Sequence, residues 1–343
     1  MTITLTDAKR ASAAELAGAL APGMRVALTT HVSPDGDGLG SEVGLVHLLQ
    51  GLGIEAVIAN PSPTSARFQF LFEDLPGVDR SREAIRVLRK TDLLIVVDIA
   101  DLGRLGHLQE TVAGGTIPVA CIDHHTSPGA LPAGPRYVDA SAAATGELVY
   151  EIARANGWTV TTATARALYV AILTDTGGFR FSNTSPRTLR ITADLLEAGV
   201  DPEGIYLDVY ANTTEGRHRL LAETLETLVV EPEIGLSWVT VPPGAMERHQ
   251  VSADDLEGVV EYPRSISGTR MAVLFREMSQ GRIKVSFRSV GAVDVAAFAR
   301  PFGGGGHVKA AGVALEGSLA DVQQKVLGAA REWLANGVSA EQR

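Results

Sequence analysis

The feature that most constrains the fold is a set of four short, almost continuously apolar segments. They lie at 25–30 (RVALTT), 54–60 (IEAVIAN), 92–98 (DLLIVVD) and 117–123 (IPVACID). Such runs are typical of strands in a parallel sheet, which are buried on both faces and do not alternate apolar with polar residues. Helices are predicted at 41–53, 145–156, 162–174 and 186–199. We therefore predict an α/β fold with a mostly parallel sheet flanked by helices.

The pattern changes after residue 205. Predicted elements there are a connecting helix at 214–230, a strand at GLSWVTV, a hairpin at 270–289 turned at Ser279–Gly281, and helices at 293–300 and 319–335. We predict a domain boundary in this region. The expected division is a first domain at 1–205, a helical linker at 206–230 and a second domain at 231–343.

Composition indicates an ordinary globular protein. The chain has 343 residues, of which 45% are hydrophobic and 20% charged, and this length suits two domains of about 150 residues each. Its single cysteine, Cys121, excludes a disulfide within the chain, and its apolar strand predicts a small buried side chain. Asp7 and Lys9 interrupt the N-terminal segment, which is predicted as a helix rather than a secretory signal. No apolar run approaches the ~20 residues of a membrane span, so we expect a cytoplasmic protein.

The formal net charge of −10 argues against binding long nucleic acids. Proteins that hold them neutralise many phosphates with lysine and arginine, and this chain has no long basic run. An acidic protein can still bind a phosphorylated ligand if metal ions and a few arginines supply positive charge. The charge therefore favours small substrates.

Acidic and imidazole side chains follow the predicted strands. They are His31, Asp35 and Asp37 after the first strand, Asp98 at the end of the third, and Asp123, His124 and His125 at the end of the fourth. Asp175 ends the predicted helix ATARALYVAILTD and enters the turn TGGFRFSN. A single aspartate in such a position usually caps a helix or a turn. Because the carboxyl ends of parallel strands lie at one edge of a sheet, we expect these side chains to meet there.

Several carboxylates at one edge would repel one another, so we infer that divalent cations bind among them. Mixed aspartate and histidine ligands suit Mn²⁺, and carboxylate oxygens also suit Mg²⁺. Two ions ~3.5–4 Å apart share a bridging carboxylate, activate water and hold phosphoryl oxygens, the usual arrangement for phosphate-ester hydrolysis. The glycines around Asp35 and Asp37 are interpreted as a loop that lets both carboxylates turn inward and backbone amides approach phosphate.

Five separated motifs in order resemble those of the DHH/DHHA1 phosphoesterases. They are H-x-x-P-D-G-D-G-L-G-S from His31, V-D-I-A-D-x-x-R from Val97, D-H-H from Asp123, D-T-G-G-F-x-F from Asp175, and GGGGHVKAAG at 303–312. The resemblance covers essentially the whole chain. It is strongest to the branch of nanoRNases and pAp phosphatases, which includes cyclic-dinucleotide phosphodiesterases. It implies an N-terminal DHH domain, a smaller α/β DHHA1 domain with a mixed sheet, and an active site in the cleft between them.

The resemblance also implies a role for each matching residue. One metal ion would be held by His31, Asp35 and Asp98, and the other by Asp37, Asp98, His124 and Asp175, with Asp98 bridging. Asp123 would orient His124, because metal-bound histidines usually donate their second N–H to an acceptor. His125 and Arg104 are the candidates for contacting the scissile phosphate, although Arg104 could instead form a surface ion pair. Asp101 is expected to be structural.

The second domain is expected to hold the rest of the nucleotide. The candidate substrate-binding residues are Arg264, Ser265, Arg288, Gly304, Gly305, Gly306 and His307. The glycines could bring backbone amides near phosphate or sugar, and His307 is predicted to begin a helix whose N-terminus favours anions. The alternative for the glycine run is a flexible linker.

The function implied is that of a phosphohydrolase with two divalent ions per subunit, Mn²⁺ before Mg²⁺ or Co²⁺. Its expected reactions are 3′–5′ degradation of very short RNA to 5′-mononucleotides and removal of the 3′-phosphate of pAp, with cyclic di-AMP or pApA cleavage as the alternative. A RecJ-like exonuclease would be larger and more basic, and the run Gly303–His307 argues against a DHH-type pyrophosphatase. An inactive nucleotide-binding regulator would have lost a metal ligand. We expect short RNA or small nucleotides as partners, no long nucleic acid, no membrane, and a homodimer as one possibility.

Overall fold

The structure is a computed structural model that describes residues 5–125, 131–278 and 281–341. Internal contacts divide the chain into two compact units, Met1–Asn212 and Thr213–Arg343. The division falls inside the segment predicted as a linker.

The first unit is built on a five-stranded parallel sheet. Its strands are β1 (Arg25–Thr29), β2 (Glu55–Ile58), β3 (Leu93–Val97), β4 (Val119–Asp123) and β5 (Arg136–Val138). They lie in the order β2-β1-β3-β4-β5, and every neighbouring pair is parallel. The four predicted strands are thus confirmed. The edge strand β5 was not predicted, because three residues are too short to show a pattern.

Helices cover both faces of this sheet. They are α1 (Asp7–Gly18), α2 (Gly36–Gly51), α3 (Ala84–Leu88), α4 (Gln109–Ala113), α5 (Thr145–Ala155), α6 (Thr162–Asp175), α7 (Pro186–Glu197) and α8 (Pro202–Tyr206). Alternate strand residues enter opposite cores. Val26 and Ile95 pack with residues of α2, α5 and α6, whereas Ala27 and Leu94 pack with residues of α3 and α4. The predicted α/β architecture is therefore confirmed for this unit.

Helix α2 begins five residues earlier than predicted, and this changes the role of its glycines. Asp35 is its N-cap and Asp37 lies in its first turn. A Cβ on Gly40 would lie 2.5 Å from the Ala167 carbonyl oxygen and 2.9 Å from the Ala171 nitrogen, both in α6. The interpretation of these glycines as a loop is wrong. Gly36 and Gly40 lie on the helix face that lets α2 and α6 approach closely, whereas Gly38 packs against Thr30.

The second unit contains a six-stranded mixed sheet. Its strands are β6 (Val229–Glu231), β7 (Leu236–Thr240), β8 (Met271–Met278), β9 (Arg282–Ser289), β10 (Gly305–His307) and β11 (Ala310–Glu316), in the order β10-β11-β9-β8-β7-β6. Only β7 and β8 are parallel among these paired strands of the described chain. The predicted hairpin is confirmed as β8 and β9, although Ser279 lies outside the described residues.

The helices of the second unit complete two small cores. They are α9 (Glu215–Leu225), α10 (Ala245–Arg248), α11 (Glu261–Arg264), α12 (Val295–Ala299) and α13 (Leu319–Glu341). One core packs α12 and α13 against residues of β8, β9 and β11, and the other packs α9 and α10 against residues of β7 and β8. The predicted connecting helix at 214–230 is shorter than expected, because the chain enters β6 at Val229.

The glycine run is neither a linker nor the start of a helix. Gly305–His307 forms β10, which pairs antiparallel with β11. The prediction that His307 begins a helix is wrong, since the next element is β11. A Cβ on Gly304 would lie 2.6 Å from the Gly312 carbonyl oxygen, so this close approach of backbone to backbone requires glycine.

Two further expectations concern burial and membranes. Cys121 is fully buried in β4, as its apolar strand predicted. Across 5–125, 131–278 and 281–341, no helix is both long and apolar enough to cross a bilayer.

The α2–α6 contact yields the first testable prediction. Gly40→Ala should destabilise the protein by about 1–3 kcal/mol, because the new methyl group would meet backbone atoms that cannot move aside. This loss should appear although alanine favours helix by roughly 0.5–1 kcal/mol over glycine. Urea denaturation followed by circular dichroism measures the change.

The matched control is Gly51→Ala at the end of the same helix, where nothing lies within 4 Å of the added Cβ. Its free energy of unfolding should be unchanged or slightly higher. Equal effects of the two substitutions would show that helix propensity rather than packing explains these glycines.

Candidate metal centre

Three neighbouring strands deliver the candidate ligands to one edge of the first sheet. β1 leads to His31, β3 to Asp98, and β4 ends at Asp123, directly before His124. Asp175 is the last residue of α6. The parallel order of β1, β3 and β4 therefore produces the predicted meeting of the strand ends.

The first group of side chains comprises His31, Asp35 and Asp98. His31 Nε2 lies 3.5 Å from Asp35 Oδ2 and 3.5 Å from Asp98 Oδ2. Its Nδ1 lies 2.8 Å from the Val32 carbonyl oxygen, which accepts a hydrogen bond when Nδ1 carries the proton. Nε2 is buried and has no partner within hydrogen-bond limits among the described residues. A buried nitrogen left in this state, facing two carboxylates, fits a metal ligand.

The second group comprises Asp37, His124, Asp175 and again Asp98. His124 Nε2 lies 3.5 Å from Asp37 Oδ2, 3.4 Å from Asp98 Oδ1 and 3.6 Å from Asp175 Oδ2. His124 Nδ1 lies 3.3 Å from the Ala142 carbonyl oxygen. Asp37 and Asp98 are almost completely buried, at 1% and 3% exposure. Two almost fully buried carboxylates beside one imidazole nitrogen are better explained by a cation site than by a solvated turn.

Asp98 belongs to both groups. Its Oδ2 faces His31 and its Oδ1 faces His124. Potential ligand atoms lie within 4.8 Å of one another in three sets, His31 with Asp35 and Asp98, Asp37 with His124 and Asp175, and Asp98 with His124 and His125. This arrangement can hold two divalent cations that share one carboxylate.

Asp123 contacts a different histidine from the one expected. Its Oδ1 lies 2.6 Å from His125 Nδ1, and its Oδ2 accepts a hydrogen bond from the Ala100 amide at 3.1 Å. The prediction that Asp123 orients His124 is wrong, because the Ala142 carbonyl takes that place. Arg104 Nη1 lies 3.4 Å from His125 Nε2. Asp123, His125 and Arg104 thus form a row beside the two candidate metal-ligand groups.

Asp101 has a local structural role, as expected. It caps a short helical segment at Leu102–Leu108, and its Oδ1 accepts a hydrogen bond from the Gly103 amide at 2.7 Å. The Arg104 carbonyl oxygen in this segment accepts a hydrogen bond from Val32 N at 2.8 Å. The segment is thereby tied to the chain that carries His31.

Electrostatics among the protein groups alone are strongly perturbed. Burial lowers the pKa of His31, but Asp35 and Asp98 outweigh it and raise this pKa to about 10. Burial acts likewise on the pKa of His124, which Asp98 and the other carboxylates raise to about 11. Burial raises the pKa of Asp175 to about 7, with His124 opposing the shift and Asp98 adding to it. The groups therefore retain protons in positions that a divalent cation could take.

Three residues that hold Asp37 were not predicted from the sequence. Asp37 Oδ2 accepts a hydrogen bond from Thr145 N at 2.7 Å, and Oδ1 accepts from Gly146 N at 3.0 Å and from Ser41 Oγ at 3.2 Å. Thr145 and Gly146 begin α5. A Thr-Gly pair at the start of a predicted helix was visible in the sequence, but its partner 108 residues away was not.

The candidate substrate residues lie in the second unit. Arg264 Nε and Arg288 Nε both contact Glu261, at 2.5 Å and 3.0 Å. Ser265 Oγ donates to the Tyr262 carbonyl oxygen at 2.8 Å. The structure thus brings the two arginines together at one carboxylate. The predicted glycines Gly304, Gly305 and Gly306 and His307 lie along the edge strand β10 and its approach.

Two family models match the chain. The DHH family, N-terminal domain, matches residues 25–172, and the DHHA1 domain matches residues 238–336. Every residue of the two groups but Asp175 falls within the first match.

Curated relatives match most of the chain. It is 34% identical to the bifunctional oligoribonuclease and PAP phosphatase NrnA of Thermus thermophilus, over 90% of this chain and 89% of that protein. It is 30% identical to the protein of the same name from Bacillus subtilis, over 84% of this chain and 89% of that one.

Solved structures share the fold. An exopolyphosphatase-related protein from Bacteroides fragilis superposes with a TM-score of 0.88 at 24% identity, covering 100% of both chains. A crystal structure of the exonuclease RecJ bound to manganese superposes with a TM-score of 0.50 at 17% identity, covering 98% of this chain and 96% of that one. From the family matches and the Thermus relative, the chain belongs to the DHH/DHHA1 family of phosphoesterases.

Proposed function

We propose that this phosphoesterase uses two divalent cations to hydrolyse short nucleotides. Its reactions are the 3′–5′ degradation of oligoribonucleotides to 5′-mononucleotides and the conversion of pAp to AMP. The observation that carries the proposal is Asp98, which turns one oxygen towards His31 and the other towards His124. The names of the relatives from Thermus thermophilus and Bacillus subtilis support the choice of substrates.

The ligands of the two cations follow from the two groups of side chains. His31, Asp35 and Asp98 hold one, and Asp37, Asp98, His124 and Asp175 hold the other. Aspartate oxygens mixed with imidazole nitrogens suit Mn²⁺, with Mg²⁺ or Co²⁺ as alternatives. The manganese in the RecJ crystal structure supports this choice. Two such ions activate water and stabilise charge on the phosphoryl oxygens.

His125 and Arg104 contact the scissile phosphate in this proposal. Asp123 Oδ1 accepts a hydrogen bond from His125 Nδ1–H, which fixes the ring and directs Nε2 away from Asp123. The Arg104 guanidinium beside Nε2 supplies a second donor and a positive charge. Arg104 orients the phosphate by donating to its oxygens while negative charge develops there, and His125 joins it as a donor when Nε2 carries a proton as well.

The second unit recognises the rest of the nucleotide in this proposal. Arg264 and Arg288 already pair with Glu261, so an incoming phosphate competes with that carboxylate. Ser265 and the backbone of Gly304, Gly305, Gly306 and His307 complete the recognition. The cytoplasmic location and the homodimer stay predictions.

A substrate panel tests the function directly. With Mn²⁺, the protein should hydrolyse pAp and oligoribonucleotides of two to five residues. EDTA should abolish both activities, because the proposed mechanism needs the cations to activate water. Cyclic di-AMP, pApA, pyrophosphate and a long single strand complete the panel, and products are separated by ion-exchange chromatography. Cleavage of cyclic di-AMP and pApA alone would replace the proposed substrates with the cyclic-dinucleotide alternative. Hydrolysis of pyrophosphate alone would contradict the nucleotide assignment.

Asp98→Asn tests the shared carboxylate. The substitution keeps the size of the side chain but removes the charge that both cations would share, so kcat/KM should fall at least ~100-fold. The matched control is Asp92→Asn, at the opposite end of β3, where the carboxylate accepts from Arg25 N. The control should retain activity within about threefold, as expected of a surface residue. Full activity of Asp98→Asn would remove the basis of the two-metal assignment.

The raised histidine pKa values predict how stability varies with pH. Because the folded-state pKa of His31 is about 10 and that of His124 about 11, each contributes stability fully below about pH 6.5. That contribution is lost as pH rises through the folded-state values. The melting temperature of EDTA-treated protein should therefore fall as the pH rises from about 6.5 to about 11. Saturating Mn²⁺ should reduce this fall, since metal binding favours the deprotonated ligands.

His31→Gln in the EDTA-treated protein should flatten the pH dependence of the melting temperature. The control His218→Gln alters an exposed histidine that contacts Thr213, and it should behave like the wild type. Parallel curves for wild type and His31→Gln would contradict the coupling of His31 to the carboxylates.

A further inference from the structure

Thr145 contacts carboxylates from two different elements of the candidate metal centre. It is the first residue of α5 and is fully buried. Its backbone N–H donates to Asp37 Oδ2 at 2.7 Å, and its hydroxyl donates to Asp98 Oδ1 at 3.2 Å. Asp37 lies in the first turn of α2, whereas Asp98 follows β3. One residue therefore connects both elements.

The hydroxyl contact distinguishes the two oxygens of Asp98. Oδ1, which accepts from Thr145, also lies 3.4 Å from His124 Nε2. Oδ2 lies 3.5 Å from His31 Nε2. A rotation of the carboxylate about its Cβ–Cγ bond would break the hydrogen bond and move both oxygens away from these nitrogens. The torsion at this bond is intrinsically broad, so the rotation is not prevented by the side chain itself.

The position of Thr145 is itself well defined. The adjacent Gly146 also donates from its backbone N–H to Asp37, at 3.0 Å. A Cβ on Gly146 would lie 2.6 Å from Ala171 Cβ of α6, so the start of α5 packs tightly against that helix. The hydroxyl therefore stands on a segment that packing and two backbone hydrogen bonds keep in place.

We propose that Thr145 is a positioning residue whose hydroxyl sets the rotation of the Asp98 carboxylate, so that one oxygen serves each metal ion. The inference deepens the two-metal function proposed above and rests on it. Outer hydrogen-bond partners of metal ligands commonly contribute 10–100-fold to metal affinity. Thr145 fits this role because its hydroxyl reaches Asp98, the carboxylate that both metal ions would share.

The test compares Thr145→Val with Thr145→Ser. Valine has nearly the shape of threonine without the hydroxyl, while serine retains the hydroxyl and loses the methyl group. Both keep the backbone N–H that donates to Asp37. Isothermal titration of MnCl2 into EDTA-treated, dialysed protein gives affinity and stoichiometry independently of any substrate. We expect two ions for wild type and Thr145→Ser at similar affinities, and a 10–100-fold loss of affinity at one or both sites in Thr145→Val.

A second buried threonine provides the control. Thr192 lies in α7, and its hydroxyl donates to the Thr188 carbonyl oxygen at 2.9 Å within the same helix. Thr192→Val should bind Mn²⁺ as the wild type does. Circular dichroism checks that each variant is folded, and Thr145→Ala replaces the valine variant if that one fails to fold.

The outcomes separate the inference from the function beneath it. Wild-type affinity and stoichiometry in Thr145→Val would overturn the positioning role while leaving the two-metal proposal intact. An equal loss in Thr145→Ser and Thr145→Val would also overturn it, because the methyl group rather than the hydroxyl would then matter. If the wild type binds no Mn²⁺ and cleaves no nucleotide, both proposals fail together.

Discussion

Mutual repulsion among aspartates is the constraint on which the rest of the structure depends. Asp35, Asp37, Asp98 and Asp175 converge on a small region in which Asp37 and Asp98 are almost dry. Carboxylates at such distances favour protonation or a cation, and burial strengthens the preference. Histidines alone compensate only in part, since the pKa of Asp175 still rises to about 7 beside His124. Packing and hydrogen bonds must therefore offset the remaining repulsion so that these carboxylates stay together.

Close helix packing is one of the means by which it does so. Gly40 in α2 faces backbone atoms of α6 that leave no room for a side chain. Asp35 and Asp37 lie at the start of α2, and Asp175 ends α6. The contact between the two helices thus holds ligands from both within reach of His124. The glycine-rich start of α2, whose composition resembles that of a flexible turn, is therefore packed tightly against α6.

Much of this was predictable from the sequence, for identifiable reasons. The strands of the first sheet are apolar throughout, so burial on both faces was evident, and the parallel order then brought His31, Asp98 and His124 to one edge. The structure brings together the side chains that the motifs named, and their role as metal ligands stays a proposal. The short strand β5 at Arg136–Val138 carried too little pattern to predict.

Hydrogen bonds between distant segments were not predictable in this way. Asp123 neighbours both His124 and His125 in sequence, so adjacency could not decide which ring it contacts, whereas the backbone geometry after β4 does. Likewise, the approach of Thr145 to Asp37 joins positions 108 residues apart. A single sequence without aligned relatives contains no signal for such pairs. The same limit applies to the shared contact of Arg264 and Arg288 with Glu261.

The backbone at Asp98 has a consequence for how this site can change over time. Asp98 has a left-handed φ of 54°, and Ala100 two residues later has a φ of 55°. Residues other than glycine lose roughly 1–2 kcal/mol in that conformation, although aspartate tolerates it better than most. Glycine at position 98 would relieve the backbone strain, but it would also delete the carboxylate that faces both His31 and His124. The backbone at this position therefore favours glycine, and the aspartate is explained by its side chain: two histidines from separate strand ends depend on the same carboxylate.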